Sequence, residues 1–469
     1  MSHIWLIKVG TMLLFVSIFN MQGKLVLIYQ KFIILQSNIN DSEEKKMDLF
    51  ENEQFYYRNG ELYCEGTPVE EIIEAVGSPA YIYSRNFFAD RYKEFNEAFA
   101  EVKHSVFFAV KANFNLNVMK TFSDMGCGLD VNSAGELFRA QKTGVLPGKI
   151  IMSGVGKTYE EIKLALEYNI KLIKAESLEE LRLIDEIACQ LNVTAPVALR
   201  VNPDVDAKTH PYISTGLAEN KFGIQASEAE EIYAEASGLE NISLVGMDMH
   251  IGSQITTTAP FVEAVEKMVT LFKKIRARGI PLNHFDIGGG MGVRYKDENV
   301  FTPKELAASI MPALLSLNCE IMFEPGRYFT ANGGILVAEV LFSKKNGEKN
   351  FIITDVAMTE LIRPSLYSAY HHIQPLKLKL KEDITVDIVG PVCESSDFMG
   401  RNRVIESLES GDKIAIMSAG AYGMVMASNY NGRRRPPEVL VDDDKFYVIR
   451  NRETYENMLL DENLLLDLI

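Results

Sequence analysis

Residues 105–153 read SVFFAVKANFNLNVMKTFSDMGCGLDVNSAGELFRAQKTGVLPGKIIMS. Three short β-prone runs lie in this stretch, at Ser105–Val110, Gly128–Val131 and Lys149–Ser153. The segment Ser133–Thr143, between the second and third runs, has apolar residues at helical spacing. Strand-like runs that alternate with helices are typical of a parallel sheet with helical crossovers. This stretch therefore predicts an α/β fold.

The same alternation continues along the chain. Five further strand-like runs follow, at Ile170–Ala175, Val197–Val201, Leu244–Ile251, His284–Ile287 and Glu320–Phe323. Segments with helical periodicity separate them, such as Ser177–Leu191, Phe261–Arg278 and Pro303–Leu317. Ser177 followed by Glu180 predicts a capping box. Eight alternations in about 240 residues match a (β/α)8 barrel of the TIM type. A doubly wound open sheet is the alternative, because spacing alone does not show closure.

The sequence on both sides of the barrel is typical of a second, all-β domain. Ile335–Phe342 and Phe351–Thr354 flank an Asn346-Gly347 turn and predict a hairpin. Later strands are predicted at Ile384–Val389, Lys413–Met417 and Phe446–Arg450. The early run Phe55–Tyr63, with its Asn59-Gly60 turn, is expected to add to this domain. The predicted division is a leader at 1–46, an N-terminal segment of the β domain at 47–82, the barrel at 83–326 and a Greek-key or sandwich-like β domain at 327–469.

The first 46 residues differ from the rest of the chain. Val9–Phe19 has the composition of a signal-peptide core, but no basic cluster precedes it and no small-x-small cleavage site follows. The lack of arginine before Arg58 disfavours a mitochondrial transit peptide. The apolar runs are shorter than the roughly 18 residues that span a bilayer. We therefore expect translation to start at Met47, a cytoplasmic location and no membrane association.

Composition and charge exclude several classes of protein. The chain has 469 residues of ordinary globular composition. Its 48 basic and 64 acidic residues give a net charge of −16, which argues against non-specific nucleic-acid binding. Five scattered cysteines without C-x-x-C spacing fit a reducing compartment and exclude a cysteine-built zinc site. We predict no metal.

Chemically distinctive residues stand at the ends of five predicted strands, where a barrel of this type carries its active site. They are Lys111, Asp130, His250, the turn Gly288–Gly292 and the segment Glu324–Arg327. Taken singly, most have an ordinary structural explanation: a lysine that reaches solvent, a buried histidine, a tight turn or an ion pair at the rim. Five of them on one face of a barrel favour a shared pocket.

Together these residues suggest a pyridoxal phosphate site. Burial against neighbours such as Phe107 and Phe108 is expected to lower the pKa of Lys111, which favours a Schiff base. Consecutive glycines let backbone N–H groups approach a phosphate at a helix N-terminus. Glu324 can pair with a ring nitrogen. A Schiff-base aldolase would also use the lysine and the phosphate site, but it does not need a second polar cluster.

The β domain contains such a cluster, in three segments: Arg363–Tyr367, Gly390–Asp397 and Ala419–Gly423. A lone cysteine is usually a small buried hydrophobe. Cys393, however, is followed by Glu394, two serines and Asp397, which is not the setting of a core strand. An exposed cysteine near cationic groups is a candidate acid/base group.

From about Met47 to near the C-terminus, the chain resembles diaminopimelate decarboxylases, which have the alanine-racemase-like fold of the fold-type III pyridoxal phosphate enzymes. The resemblance rests on an ordered series of motifs rather than one pattern. They are YSRN at 83–86, FAVKAN at 108–113, DVNSAGE at 130–136, VNPDVDAKTH at 201–210, NKFGI at 220–224, HIGSQ at 250–254, Cys393-Glu394 and SNYN at 428–431.

The resemblance implies a role for each site residue. Lys111 carries pyridoxal 5'-phosphate, His250 stacks on its ring and Glu324 pairs with the ring nitrogen. Cys393 is the proton donor. The cofactor-binding set is completed by Asp130, Ser253, Gly289, Gly290, Gly326, Arg327 and Tyr422. The implied substrate-binding set is Arg327, Arg363, Tyr367, Glu394 and Tyr422.

The activity implied is decarboxylation of meso-2,6-diaminopimelate to L-lysine and CO2, the last step of lysine biosynthesis. A homodimer is also implied, in which the Cys393 segment completes the partner's site. Substrate choice should depend on Arg363 for the distal carboxylate and on Glu394 for the distal ammonium. The alternatives are an ornithine, arginine or carboxynorspermidine decarboxylase of the same fold, and a catalytically inactive relative that binds a partner protein. The presence of Lys111, Glu324 and Cys393 together argues against the inactive relative.

Overall fold

The structure is a computed structural model that describes residues 4–9, 12–17, 49–207, 215–216 and 220–464. The chain divides into two compact units, residues 1–49 and 50–469. The first contains two antiparallel strands, β1 (Ile4–Val9) and β2 (Met12–Ser17). What was predicted for residues 18–46 lies outside the described residues. Among the helices that are described, none combines the length and the apolar character needed to cross a membrane.

The early hairpin forms a small sheet of its own. β3 (Phe55–Arg58) and β4 (Glu61–Cys64) pair across the Asn59-Gly60 turn, and β5 (Thr67–Pro68) extends the sheet. The hairpin adds to the β domain as expected, because Phe55, Leu62 and Cys64 pack in one buried core with residues of that domain, although it does not extend the larger sheet. The N-terminal segment enters that larger sheet after helix α1 (Val69–Val76), through β6 (Ala80–Ser84).

Eight parallel strands close into a barrel, which confirms the predicted (β/α)8 architecture. They are β7 (His104–Ala109), β8 (Gly128–Val131), β9 (Ile150–Met152), β10 (Leu172–Ala175), β11 (Ala195–Asn202), β13 (Ile242–Asp248), β14 (His284–Asp286) and β15 (Glu320–Phe323); a short β12 (Ile224–Gln225) extends β11. Each barrel strand pairs with the next one along the chain, and β15 pairs with β7. This closure excludes the doubly wound open sheet.

Helices cover the outside of the barrel. They are α2 (Arg85–Ala98), α3 (Leu116–Asp124), α4 (Ala134–Thr143), α5 (Tyr159–Glu167), α6 (Leu178–Leu191), α7 (Ala229–Ala236), α8 (Ala259–Ala277) and α9 (Pro303–Leu315). At the start of α6 the Ser177 hydroxyl accepts the Glu180 N–H at 3.1 Å. The reciprocal half of the predicted capping box is absent, because the Glu180 carboxylate accepts the Glu176 N–H at 2.7 Å and pairs with Lys157.

The interior of the barrel is packed in layers. One buried layer consists of side chains from five strands: Phe107, Ile151, Leu172, Ala198 and Met322. Residues two positions further along a strand face the same way, one layer nearer to the carboxyl ends. On β10 that residue is Lys174, which is also buried. The apolar layer therefore fills the barrel interior beneath a polar layer that contains Lys174.

A nine-stranded, mostly antiparallel sheet forms the β domain. Its strands after the barrel are β16 (Gly334–Asn346), β17 (Lys349–Thr354), β18 (Ile373–Pro375), β19 (Asp383–Val389), β20 (Phe398–Glu406), β21 (Lys413–Ile416), β22 (Glu438–Asp442) and β23 (Lys445–Arg450). Short helices α10 (Arg327–Thr330), α11 (Arg363–Tyr367) and α12 (Tyr455–Met458) accompany them. β6 lies between β16 and β22, so the barrel is inserted between two parts of this domain. The predicted hairpin at Asn346 is confirmed, whereas β18, β20 and β22 were not foreseen.

Candidate active site

A cavity of about 370 Å³ lies at the carboxyl ends of the barrel strands. Its lining comes from the barrel and from the β domain, which contributes Arg363, Tyr367 and Tyr422. The lining includes ten of the residues selected from the sequence: Lys111, His250, Ser253, Gly290, Glu324, Gly326, Arg327, Arg363, Tyr367 and Tyr422. The tertiary structure therefore gathers most of the predicted site around one cavity.

Lys111 opens onto this cavity from a single 3-10 turn that follows β7. Burial lowers the pKa of Lys111, but the negative charges of Asp130 and Glu324 raise it more, so the net pKa lies above that of an ordinary lysine. The expectation of a lowered pKa is therefore wrong for the cofactor-free chain. Apolar neighbours are visible in the sequence next to the lysine, whereas the acids come from other strands.

Asp130 lies at the end of β8 and is completely buried. Its Oδ1 accepts a hydrogen bond from the Ser153 hydroxyl at 2.6 Å, while its Oδ2 has no partner among the described residues. Burial, together with the nearby Glu324 charge, raises the pKa of Asp130 to about 8. Asp130 therefore keeps an unpartnered carboxyl oxygen in the interior, within range of the charges of Glu324 and Lys111.

His250 follows β13 and faces the cavity as a neutral ring. Its Nδ1 accepts the Gly289 N–H at 3.2 Å, which places the ring proton on Nε2. Burial and the positive charge of Lys111 lower the pKa of His250 well below the ordinary value. A neutral imidazole can stack on an aromatic ring without adding charge to the site.

The triple-glycine turn packs closely against backbone on both sides. A Cβ on Gly289 would lie 2.2 Å from the Glu324 carbonyl oxygen, and one on Gly290 would lie 2.5 Å from that of Gly252. Gly290 also has a φ of +114°. Glycine is therefore required sterically at both positions. The expected helix does not start at this turn, because α9 begins only at Pro303; α10 begins directly after Gly326 instead.

Two arginines define another wall of the cavity. Arg327 donates to the Tyr295 hydroxyl at 2.6 Å and to Ser253 Oγ at 3.1 Å. Arg363 donates to His371 Nε2 at 2.8 Å and lies 4.6 Å from the centre of the Tyr295 ring. No carboxylate of the described residues forms an ion pair with either guanidinium, and both arginines are buried. Buried guanidinium groups without acidic partners are suited to bind anionic groups of a ligand.

Sequence reasoning missed Tyr295 and His371. Burial raises the pKa of the Tyr295 hydroxyl, but Arg327 and Arg363 lower it more, so its pKa falls below the ordinary value. His371 donates from Nδ1 to the Met417 carbonyl at 2.8 Å, which leaves Nε2 as the acceptor for Arg363. Tyr295 stands only three residues beyond the glycine turn Gly288–Gly292, and that proximity was the available signal.

Sequence reasoning also missed Lys174, a buried lysine in β10. Its ammonium bonds Asp248 Oδ1 at 2.7 Å, Asp286 Oδ2 at 2.6 Å and the Glu324 carboxylate. These acids lie at the ends of β13, β14 and just after β15. The signal was a lysine in the run Ile170–Ala175 at a position that strand alternation places on the same face as the apolar Leu172.

Comparison with known proteins identifies the family. The family model described as pyridoxal-dependent decarboxylase, pyridoxal binding domain, matches residues 86–331. The diaminopimelate decarboxylase of Haemophilus influenzae is 46% identical over 406 residues, covering 86% of this chain and 98% of the relative. That of Aquifex aeolicus is 44% identical over 406 residues, covering 86% and 96%. The chain belongs to the diaminopimelate decarboxylase family.

Solved structures of the same family have the same fold. Diaminopimelate decarboxylase from Helicobacter pylori, complexed with L-lysine, has a TM-score of 0.81 and 42% identity, covering 84% of this chain and 98% of that one. The enzyme from M. jannaschii, in co-complex with L-lysine, has a TM-score of 0.84 and 37% identity, covering 88% and 98%.

The residues of the cavity fit pyridoxal phosphate, the cofactor of this decarboxylase family. Lys111 supplies an amine, and Glu324 supplies an anion for a ring nitrogen. Arg327 provides positive charge for a phosphate, and the closely packed backbone at Gly290 lines the cavity beside it. When bound, this cofactor supplies an electron sink for a carbanion.

Four predicted site residues do not line the cavity of this chain: Asp130 and Gly289, which are buried, and Cys393 and Glu394, which are exposed. Cys393 is exposed, and its N–H donates to Asn431 Oδ1 at 2.9 Å. Glu394 accepts a hydrogen bond from the Tyr430 hydroxyl at 3.3 Å and is also exposed. Within one chain, therefore, the proposed proton donor and the proposed ammonium ligand are both missing from the cavity wall.

Proposed function

We propose that this chain decarboxylates meso-diaminopimelate to L-lysine and CO2, as the last step of lysine biosynthesis. The observation that carries the proposal is the pair Arg327 and Arg363, two buried guanidinium groups without an acidic partner among the described residues at one cavity wall. Meso-diaminopimelate has two carboxylates and one of them is retained in the product. A buried arginine that meets no carboxylate is costly, so this wall is built for a substrate that keeps a distal carboxylate.

The residues around Lys111 divide the work of the reaction. The Lys111 amine holds the cofactor and accepts it back when the product leaves. Neutral His250 covers one face without adding charge. The Glu324 carboxylate is held by Lys174 and would stabilise a proton on the ring nitrogen of the cofactor. Arg327 and Ser253 are bonded to each other at the phosphate end, so their donors are already oriented before a ligand arrives.

We propose that Arg363, together with Glu394 of the partner subunit, determines substrate specificity. The planar guanidinium of Arg363 matches a carboxylate in bidentate fashion, and its hydrogen bond to His371 fixes its plane. Ornithine offers no distal carboxylate and would leave Arg363 unpaired. This argument favours diaminopimelate over ornithine, arginine and carboxynorspermidine.

The proposed proton donor, Cys393, makes a homodimer part of the proposal. Cys393 is exposed and does not line the cavity of its own chain. A second copy related by two-fold symmetry can place the Cys393 segment over the partner's cavity, and each copy then completes the other's site. We infer that carboxylate leaves from one face and that Cys393 protonates the opposite face, with inversion.

Cys393→Ala tests the role of the thiol. We expect turnover to fall by about a hundredfold or more, because general acid catalysis is lost, while pyridoxal phosphate still binds. Turnover is measured as CO2 release and cofactor binding by the absorbance of the loaded protein. Cys189→Ala is the matched control, since Cys189 is also exposed but lies on α6. Equal loss of cofactor and activity in the Cys393 variant contradicts the role.

The deciding experiment for the function is lysine formation by the purified chain loaded with pyridoxal phosphate. We expect L-lysine and CO2 from meso-diaminopimelate and little CO2 from ornithine, arginine or carboxynorspermidine. Preferential CO2 release from ornithine, arginine or carboxynorspermidine would identify that compound as the substrate instead. No release from any of them, with cofactor bound, would favour a relative that acts by binding.

We also infer a cytoplasmic location and no role in nucleic-acid binding. The five cysteines are free thiols, which fits a reducing compartment. The net charge of −16 disfavours contact with a polyanion. Cell fractionation tests the location, and recovery of the protein in the cytoplasmic fraction is the expected result.

A further inference from the structure

The barrel interior holds a buried lysine, Lys174, that contacts Glu324 but does not line the cavity. Lys174 extends from β10 into the barrel, and its side chain is 1% exposed. Its three carboxylate partners come from three different strand ends, and all are buried. Burying so many charged groups is costly unless each is paired, so their arrangement calls for a specific explanation.

The three acids would suit a cation if the lysine were absent. One oxygen from each of Asp248, Asp286 and Glu324 lies within 4.8 Å of the others, which is a grouping that can hold a metal ion. The Lys174 ammonium is within hydrogen-bond distance of all three. The lysine therefore occupies the position of the cation and neutralises part of the cluster.

Two of its contacts lead directly to the proposed cofactor site. Lys174 binds Oε1 of Glu324, and Glu324 also lines the cavity. The second oxygen of Glu324 accepts no hydrogen bond from another described residue, so it is available to a ligand. Asp286 receives Lys174 on Oδ2 and the N–H of Gly288 on Oδ1 at 2.8 Å. Lys174 thus holds Glu324, the acid that would face the cofactor ring. Through Asp286 it also holds the glycine turn.

We infer that Lys174 is a positioning residue for the cofactor: its ammonium holds Glu324 at the cavity, where this carboxylate meets the ring nitrogen. The inference rests on the proposed function only for the identity of the cofactor. Without the lysine, three buried carboxyl groups would face one another, and like charges at that distance favour protonation. A protonated Glu324 would no longer stabilise a proton on the ring nitrogen.

Lys174→Met tests the inference, with Lys157→Met as the matched control. Lys157 is equally buried, pairs with Glu180 at 2.8 Å and bonds the Lys174 carbonyl at 2.7 Å, but it makes no contact with Glu324. We expect the dissociation constant for pyridoxal phosphate to rise about tenfold or more in K174M, because a charge-assisted contact is weakened. In K157M we expect a change of less than about threefold.

The protonation of the bound ring is the second measurement. With 15N-labelled pyridoxal phosphate, we expect the nitrogen resonance of a protonated ring in the wild type and in K157M. In K174M we expect the resonance of an unprotonated ring. A protonated ring in K174M, with unchanged affinity, overturns the inference. Both measurements are made without substrate, so failure to form lysine would reject the proposed function and leave this test intact.

A double-mutant cycle separates action through Glu324 from a general structural effect. If Lys174 acts through this acid, K174M should weaken cofactor binding much less in an E324Q background than in the wild type. The same loss in both backgrounds overturns the inference. K174Q, which retains two N–H donors, replaces K174M if the latter does not fold. If neither variant folds while K157M does, the cluster serves folding and the inference is overturned.

Discussion

At the scale of single residues, the arginine wall shows how neutral neighbours prepare a site for an anion. Tyr295 lies between two guanidinium groups, and the neutral His371 accepts a hydrogen bond from one of them. None of these contacts cancels the positive charge. The site therefore keeps both arginines oriented and without an anionic partner, which a phosphate can supply for Arg327 and a substrate carboxylate for Arg363.

Arg363→Met should lower kcat/KM for meso-diaminopimelate by about a hundredfold or more, because a buried bidentate ion pair is lost. Cofactor absorbance should not change. Arg403→Met is the matched control: Arg403 also stacks on a tyrosine, 3.7 Å from the centre of the Tyr370 ring, but it does not line the cavity. Steady-state kinetics of both variants check the prediction, and an unchanged KM and kcat in R363M would contradict it.

Asp130 should make the stability of the cofactor-free chain depend on pH. Burial raises its folded-state pKa to about 8, whereas an aspartate in an unfolded chain titrates near pH 4. Between these values the folded state binds more protons, so the free energy of unfolding falls as pH rises through this window. Asp130→Asn should remove this fall. Denaturant unfolding at about pH 5 and about pH 9 measures the free energy of unfolding of the wild type and of the variant. If the two proteins differ by the same free energy at both pH values, the prediction is wrong.

At the scale of elements, the turn after β14 is held by backbone contact rather than by helix formation. Gly290 approaches the Gly252 carbonyl so closely that no side chain fits, and the turn lies beside the cavity. The same turn donates a hydrogen bond from the Gly288 N–H to the Asp286 carboxylate. Because its other contacts hold the turn rigid, the backbone at Gly290 can face an anion without reorganising when the anion binds.

Gly290→Ala should be more damaging than Gly279→Ala, although both glycines have positive φ values of +114° and +92°. A Cβ on Gly279 meets nothing within 4 Å, whereas one on Gly290 lies 2.5 Å from a backbone oxygen. We expect G279A to cost about 1 kcal/mol of stability without affecting cofactor binding. G290A should cost more and weaken binding. Denaturant unfolding and equilibrium dialysis measure the two effects; equal losses in both variants would refute the steric argument.

At the scale of the whole molecule, the position of Cys393 decides how many chains make a site. The barrel supplies Lys111, and the exposed segment with Cys393 lies outside the cavity of its own chain. If two copies exchange these segments, each active site takes its lysine from one chain and its cysteine from the other.

Mixing Lys111→Ala with Cys393→Ala subunits should restore activity that neither variant has alone. Half of the randomly mixed dimers contain both variants, and one of their two sites is intact, so about a quarter of wild-type activity should return. The two variants are unfolded together, refolded and assayed, with dimer formation checked by light scattering. A mixture as inactive as its components would mean that sites are not shared.

Local patterns in the sequence identified most of the architecture and much of the site. The strand-like run at Gly128–Val131 and the one at Glu320–Phe323 match β8 and β15 residue for residue. Residues at strand ends, such as Lys111 and Arg327, were found because parallel strands of a barrel place those ends on one face. Short-range periodicity and turn chemistry are sufficient for such predictions, since they depend on neighbours along the chain.

The tertiary structure alone decided which distant charges meet. Lys174 lies 150 residues from Glu324, and no local pattern joins them. Closure of the barrel brings β10 and β15 across a common interior, so their inward side chains become neighbours. The raised pKa of Lys111 has the same origin, because its apolar neighbours are adjacent in sequence while its acidic ones come from other strands. Electrostatic energy depends on distance in space and on burial, and both exist only once the chain has folded.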